Sequence, residues 1–187
     1  AMHEGRGALK AEFDSINAGK IELVVDEEIL PSAHDFRAFL TRVKSHDGSI
    51  QAIGINLLYG QIGLLARQAN ELGIRVPLFG FELHGNPEEV TASSGALVGS
   101  WYSGASLGDD VFVDAYRRNF RNSSLFGAAN GYDIIKMILE AKRKGAGKRE
   151  KLNSWLHAVH DFEGTMGRYS ILPDNRFSLP GQIRVVE

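Results

Sequence analysis

The chain has 187 residues, of which 43% are hydrophobic and 24% are charged, with a formal net charge of −2 and no cysteine. This length suits one domain or a domain with a large fragment of another, and the charge balance removes the electrostatic argument for binding nucleic acid. The absence of cysteine excludes disulfides and thiol chemistry, and no apolar run approaches the roughly 20 residues of a membrane span.

The first hundred residues alternate between helix-like and strand-like blocks. Apolar residues at intervals of three and four predict helices at residues 8–18, 36–43 and 62–72, with a single turn at 87–91. Short apolar runs predict strands at residues 21–25, 50–55, 77–80 and 96–102. Ser32 is a candidate cap for the second helix. Strands alternating with amphipathic helices predict right-handed βαβ units around a parallel sheet.

The second half has a different pattern. Helical periodicity predicts helices at residues 111–120, 128–144 and 151–159, with little strand between them. The tail, residues 162–187, reads as short strands separated by turns at Pro173-Asp174-Asn175 and Pro180-Gly181. Three helices without strands of their own predict half of a second domain.

Three loops that follow predicted strands are the candidate ligand site, because open parallel sheets bind ligands beyond the carboxyl ends of their strands. These loops are residues 56–60, 81–85 and 100–104. Glu82 directly follows a strand, and Trp101 and Tyr102 supply aromatic surface. A carboxylate beside aromatic rings can hold an ammonium group. The residues alone favour the simpler alternative, a solvated loop acid and two packing aromatics.

A serine nucleophile is the enzymatic alternative. Residues 104–108 match the G-x-S-x-G elbow around Ser106, and Asp133 and His157 follow in hydrolase order. Short patterns of small residues arise easily by chance in a chain with 21 glycines, and Asp109-Asp110 resembles a helix start. We therefore expect no catalytic residue here.

His157 and His160 lie one helical turn apart and precede Asp161 and Glu163, so a metal site is conceivable. The apolar stripe of this helix places its buried face elsewhere, and a complete ligand set is missing. A solvated histidine pair is the favoured interpretation, and we expect neither a metal nor a cofactor.

The order of blocks resembles the type I periplasmic solute-binding proteins of the leucine/isoleucine/valine-binding kind. Five segments are similar to the family and occur in its order. They are Gly5-Arg6-Gly7-Ala8-Leu9, His34-Asp35-Phe36, residues 66–73 with 77–80, Gly131-Tyr132-Asp133, and residues 162–167.

The resemblance implies an α/β fold, a three-layer αβα Rossmann-like lobe with a parallel sheet plus the helical remainder of a second lobe. Residues 1–100 would form most of the ligand-binding second lobe. Residues 101–160 would form a crossing segment and the helical part of the first lobe, and residues 161–187 would cross back and supply the terminal strands. The first lobe's own sheet, which precedes these blocks in the family, is expected to lie outside this sequence.

The implied function is the non-enzymatic receptor of an ABC-type importer for branched-chain or other amino acids, or related small polar solutes. The ligand would lie in an interlobe cleft with Glu82 at its ammonium group. The other expected ligand residues are Asn56, Leu58, Phe81, Trp101 and Tyr102. A sensor domain of a signalling receptor or regulator is the alternative, and a serine hydrolase using Ser106 is the weaker one.

The same resemblance implies a periplasmic or extracellular location and a membrane permease as the partner, with no nucleic acid. Unpaired apolar helix faces also predict that the chain associates with a second copy of itself.

Overall fold

A computed structural model describes residues 2–16, 21–46, 48–121, 125 and 127–187, which divide between two compact units. The first unit is Ala1–Ser103 with Ile183–Glu187, and the second is Gly104–Gln182. The described helices are α1 (Met2–Ile16), α2 (Arg37–Ser45), α3 (Ile62–Glu71), α4 (Pro87–Ala92), α5 (Asp110–Asn119), α6 (Ala128–Arg143) and α7 (Arg149–Leu156). The described strands are β1 (Ile53–Ile55), β2 (Leu78–Phe81), β3 (Trp101–Ala105), β4 (Phe162–Gly164), β5 (Gly167–Ile171), β6 (Phe177–Ser178) and β7 (Gly181–Val185).

The sheet of the first unit has the order β1-β2-β3-β7. Strands β1, β2 and β3 are parallel, with Ile55 opposite Gly80 and Gly80 opposite Tyr102. Each parallel connection contains a helix, α3 between β1 and β2 and α4 between β2 and β3. The predicted α/β fold with a parallel sheet is confirmed.

One face of this sheet forms the core of the first unit. Ile53, Ile55 and Leu78 point into it, and the apolar stripes of α2 and α3 cover it. The stripe of α2 supplies Leu40 and Val43, which are buried at the spacing of one helical turn. Burying one such side chain contributes about 1.5–3 kcal/mol, so these stripes explain why the two helices form where predicted.

Two sequence predictions in the first unit are wrong. Residues 21–25 form no strand, and Ile21 and Leu23 remain about half exposed at 49% and 51%. A β-branched run becomes a strand only where it packs and pairs, and periodicity alone does not supply that. Ser32 does not cap α2, because the helix begins later, where Asp35 Oδ1 accepts a hydrogen bond from the Arg37 N–H at 3.0 Å.

Strand boundaries also differ from the predictions. The strand predicted at residues 50–55 is confined to β1, Ile53–Ile55. The strand predicted at 96–102 is displaced, because residues 93–99 form turns and β3 begins at Trp101. Ser94, Gly95 and Gly99 have positive φ angles in this segment, which an extended strand does not accommodate. At the start of the chain, α1 begins earlier than predicted, and residues 17 and 18 lie outside the described residues.

The second unit contains α5, α6 and α7 close to their predicted bounds, followed by an antiparallel sheet of order β4-β5-β6. Its core contains Met137 of α6, Val159, Phe162, Met166 and Tyr169. The strands predicted for the tail are therefore confirmed. The assignment of residues 1–100, 101–160 and 161–187 to parts of two lobes stays a prediction.

A buried carboxylate joins α6 to the turn between β4 and β5. Asp133 is 1% exposed and accepts hydrogen bonds from the Thr165 N–H at 2.7 Å, the Met166 N–H at 3.1 Å and the Tyr169 hydroxyl at 2.9 Å. Burial, with the hydrogen bond to Asp133 and its negative charge, raises the pKa of Tyr169. A Cβ on Gly164 would lie 2.6 Å from Asp133 Oδ2, so the turn approaches this closely only with glycine there.

We predict that Asp133→Asn lowers the free energy of unfolding by about 2–4 kcal/mol, because the new amide group faces backbone donors that then lose their acceptor. Urea denaturation followed by circular dichroism measures this. Asp114→Asn is the matched control, since Asp114 is exposed on α5. Equal stability of the two variants would contradict the role of Asp133.

Candidate functional site

The carboxyl ends of β1 and β2 bring three predicted site residues together. Ile55, the last residue of β1, is in register with Gly80, so Asn56 leaves the sheet at the level of Phe81. Neighbouring strands lie about 4.8 Å apart, so Asn56 and Phe81 are adjacent at this edge. Glu82 follows Phe81 directly. Asn56 is exposed and Phe81 is 41% exposed, so both are accessible to a solute.

Glu82 is the residue of this edge whose charged side chain has no bonding partner among the described residues. It begins a 3₁₀ turn, Glu82–Gly85, and is partly buried. Its carboxylate forms no hydrogen bond or ion pair with any residue that the structure describes. By contrast, the buried carboxylates of Glu89 and Asp133 are occupied by backbone N–H groups. Glu82 is therefore available to a cation from solution.

The turn that contains Glu82 is anchored to the interior of the first unit by His84. The ring of His84 is fully buried, and its Nε2 lies 2.8 Å from Ser100 Oγ. The Ser100 hydroxyl donates a short hydrogen bond to the Leu97 carbonyl, which assigns the proton to Nε2 of His84 and leaves Nδ1 bare. Nδ1 has no hydrogen-bond partner. Burial lowers the pKa of His84 to about 4, so the ring is neutral at neutral pH.

Glycines on both sides of His84 make this packing possible. A Cβ on Gly80 would lie 2.6 Å from His84 Nδ1, and a Cβ on Gly85 would collide with the Tyr102 ring. Because Gly80 has no side chain, the His84 imidazole can pack against strand β2. Because Gly85 has none, the Tyr102 ring can pack against the turn. Both contacts fix the turn on which Glu82 stands.

The loop after β1 is held by two buried polar side chains. Gln61 Oε1 accepts a hydrogen bond from the Leu58 N–H at 3.2 Å, while Gln61 Nε2 donates to the carbonyl oxygens of Leu30 and Ala33 at 3.0 and 3.1 Å. Glu89 accepts hydrogen bonds from the N–H groups of Gly60 and Gly63. The backbone around Asn56 and Leu58 is thus fixed by residues outside the loop.

Trp101 and Tyr102 do not lie in a loop after a strand, so that expectation is wrong. They are the first two residues of β3. The Trp101 ring stacks on Phe79 with centroids 4.6 Å apart, and Tyr102 packs into the core beside Gly85. The β3 residue at the level of Phe81 is Ser103, which the sequence prediction missed. Glycines 95 and 99, which mark the preceding turns, were the signal for the later strand start.

The described residues do not place Ser106, Asp133 and a histidine in the arrangement that a serine nucleophile requires. Ser106 follows β3 as the motif requires, but its Oγ accepts from the Gly108 N–H at 3.2 Å in a local turn. Asp133 is occupied by Thr165, Met166 and Tyr169 rather than by a histidine. Among the described residues, neither Ser106 nor Asp133 is hydrogen-bonded to an imidazole.

His157 and His160 are at the end of α7 and in the turn that follows it. Within the part of the chain that the structure describes, no group of three or more Asp, Glu or His side chains is placed to hold a metal ion. A groove of about 560 Å³ beside these residues is lined by α6, α7 and β4. Its two lysines are occupied, Lys136 by the Glu163 carbonyl at 2.9 Å and Lys144 by Glu140 at 2.7 Å.

None of the described helices is both long enough and apolar enough to cross a bilayer.

The family follows from the sequence match and the fold. A family described as periplasmic binding protein matches residues 3–187, and the chain belongs to it. The parallel sheet with its helices is that of the type I members, as the sequence motifs predicted. The relatives are substrate-binding proteins rather than enzymes, so the expectation of a non-enzymatic protein is confirmed at the level of the family.

Three relatives illustrate the match. A Leu/Ile/Val-binding protein, BraC3 of Rhizobium johnstonii, is 31% identical over 102 residues, which is 54% of this chain and 27% of that protein. LivJ of Streptococcus pneumoniae, a branched-chain amino acid transporter substrate-binding protein solved with isoleucine, is 25% identical with a TM-score of 0.77. That match covers 94% of this chain and 52% of LivJ.

The third relative shows the fold alone. A solute-binding protein of an ABC transporter from R. palustris, solved with benzoate, is 19% identical with a TM-score of 0.77, over 98% of this chain and 52% of that one. The chain therefore spans about half of the two solved relatives and about a quarter of the Rhizobium protein.

We predict that the protein loses stability as the pH falls, because His84 is protonated more readily in the unfolded chain than in the folded one. Its pKa is about 4 when folded and near 6.5 when unfolded, so below pH 6.5 the unfolded chain takes up a proton that the folded chain does not. This contribution to stability is complete above pH 6.5 and is lost as the pH falls toward 4.

Urea denaturation of wild type and His84→Gln at about pH 7 and about pH 4.5 measures the effect. Wild type is expected to lose on the order of 2 kcal/mol more than the variant over this interval. His157→Gln, at an exposed histidine, is the matched control and keeps the wild-type dependence. The same pH dependence in all three proteins would contradict this prediction.

Proposed function

We propose that the protein is the substrate-binding component of an ABC-type importer for branched-chain or other amino acids, or for related small polar solutes. The ligand would bind in an interlobe cleft, with its ammonium group at Glu82. The family assignment supports a binding role, and the names of the Rhizobium and Streptococcus relatives support this ligand class.

The observation that carries the proposal is the unpaired carboxylate of Glu82 at the carboxyl edge of the sheet. A partly buried charge without a partner is costly, and an ammonium group restores the missing interactions. Hydrogen bonds to charged groups contribute about 1.5–3 kcal/mol, which corresponds to a change of about tenfold to a hundredfold in affinity.

The remaining predicted residues receive separate roles in this proposal. Asn56 offers an amide to the polar part of the ligand, while Leu58 and Phe81 offer apolar surface to its side chain. Tyr102 supports the Glu82 turn through Gly85, and Trp101 supports β2 by stacking on Phe79. These last two residues act on the ligand through their neighbours.

The proposal also includes a location and a partner. The family assignment and the relatives support a periplasmic or extracellular protein that delivers its ligand to a membrane permease. Ligand binding would shift the protein toward a closed form, which the permease would recognise.

We predict that Glu82→Gln weakens leucine binding by tenfold or more while leaving 4-methylpentanoate, its analogue without the ammonium group, unaffected. Isothermal titration calorimetry on the full polypeptide encoded by the gene measures both affinities. Glu22→Gln is the control, because Glu22 is exposed. An unchanged ratio of the two affinities in Glu82→Gln would remove Glu82 from the ammonium site.

Self-association of this chain is proposed through α6. One side of the helix is buried in the second unit at Ala129, Asp133, Met137 and Ala141. The other side exposes large apolar residues by 40–57%, and these form a stripe along the helix. They are Tyr132, Ile134, Ile135, Ile138 and Leu139. Such a stripe is a surface that a second copy could cover.

We predict that the 187-residue chain forms a dimer whose population rises with concentration, and that Ile135→Lys with Ile138→Lys makes it monomeric. Sedimentation velocity measures both states. Asn130→Lys, an exposed polar position of the same helix, is the control. A wild-type monomer at high concentration would exclude the proposed association.

A further inference from the structure

Glu89 is a buried acid whose two oxygens both accept backbone hydrogen bonds. It is 1% exposed, and its carboxylate receives the Gly63 N–H at 2.7 Å and, through a shorter contact, the Gly60 N–H. An isolated buried carboxylate is strongly unfavourable, but donors on both oxygens compensate much of that cost. The negative charge also faces the first turn of α3, where backbone N–H groups have no partner within the helix.

The backbone around these hydrogen bonds is built for the approach of α4. A Cβ on Gly63 would collide with the Glu89 carbonyl oxygen and lie 2.9 Å from the Ala92 Cβ, so glycine is required where α3 meets α4. Gly60 has φ of +85°, a conformation that favours glycine. The two N–H groups that Glu89 binds therefore come from positions with little freedom to change.

These hydrogen bonds connect the two loops of the candidate site. Gly60 ends the loop at residues 56–60, which contains Asn56 and Leu58. Glu89 lies seven residues after Glu82, and the chain between them is the 3₁₀ turn followed by α4, whose first turn is capped by the Asn86 side chain. The position of the loop after β1 is thus fixed relative to the element that contains Glu82.

A loop side chain lies close to the same acids. Tyr59, between Leu58 and Gly60, has its pKa raised by desolvation and then by the charges of Glu88 and Glu89. The side chain of Tyr59 is therefore also close to α4, in addition to the two amides that bind Glu89.

We infer that Glu89 is a positioning residue that sets the selectivity of the site for the ligand's side chain. By holding Gly60 and Gly63, it fixes Leu58 at the distance from Glu82 that the ligand must span. Loss of these two hydrogen bonds leaves the loop held by Gln61 and no longer by Glu89, while Glu82 and its turn keep their own anchors, His84 and Tyr102. This inference rests on the proposed function.

The test compares Glu89→Gln with Glu88→Gln, the same substitution at the neighbouring exposed position. Affinities for leucine, alanine and 4-methylpentanoate are measured by calorimetry on the full polypeptide encoded by the gene. In Glu89→Gln the preference for leucine over alanine falls by about fivefold to tenfold, because the apolar contact is no longer placed. The preference for leucine over 4-methylpentanoate stays at the wild-type value, because Glu82 is intact.

A purely structural role predicts a different result. If Glu89→Gln lowers the fraction of binding-competent protein but leaves the leucine-to-alanine ratio unchanged, the inference is overturned. If Glu89→Gln does not fold, Glu89→Asp keeps the charge on a side chain one methylene shorter and is judged by the same ratio.

Amide hydrogen exchange separates this inference from the proposed function. Exchange at Gly60 and Gly63 is expected to be at least tenfold faster in Glu89→Gln than in wild type or Glu88→Gln. If wild type binds none of the amino acids, the proposed function fails, and the exchange rates still decide whether Glu89 holds the loop. Unchanged exchange at both glycines would overturn the inference that Glu89 holds the loop, whether or not the protein binds amino acids.

Discussion

Each compact unit depends on a buried carboxylate whose oxygens accept hydrogen bonds from backbone N–H groups. In the first unit Glu89 fastens α4 to the start of α3, and in the second Asp133 fastens α6 to the turn between β4 and β5. Both acids are 1% exposed, so neither can tolerate the loss of its donors without leaving a charge unsolvated. In both places a glycine, Gly63 or Gly164, provides the space that lets the backbone approach.

Glu82 differs from Glu89 in that its carboxylate has no hydrogen bond or ion pair among the described residues. Glu89 is used for packing, while Glu82, seven residues earlier, stands on a turn that is held by other groups. His84 and Tyr102 hold the turn without a hydrogen bond to the Glu82 carboxylate, so its charge is positioned but has no partner among the described residues. In the proposed site, Glu89 therefore holds the backbone while Glu82 offers its charge to the ligand.

The sequence predicted what regular periodicity and local chemistry determine. The helices α2, α3, α5, α6 and α7 and the position of Glu82 after β2 are found where predicted. Residues 21–25 have the composition of a strand but form none, because pairing depends on neighbours that composition does not specify. The start of β3 was misplaced because the apolar residues 96–98 occupy turns, and Trp101 and Tyr102 were displaced with it. Glu89 was missed because a single glutamate on a short helix has no sequence signal for burial.

The contact of Asp133 with Thr165 has a consequence for synthesis on the ribosome. It joins positions 32 residues apart, with all of α7 between them. Until Tyr169 has left the exit tunnel, the carboxylate on α6 lacks its full set of donors and must stay hydrated, which keeps that side of the helix from closing. The buried side of α6 therefore closes only after β5 has been synthesised, because Tyr169 supplies one of the donors to Asp133.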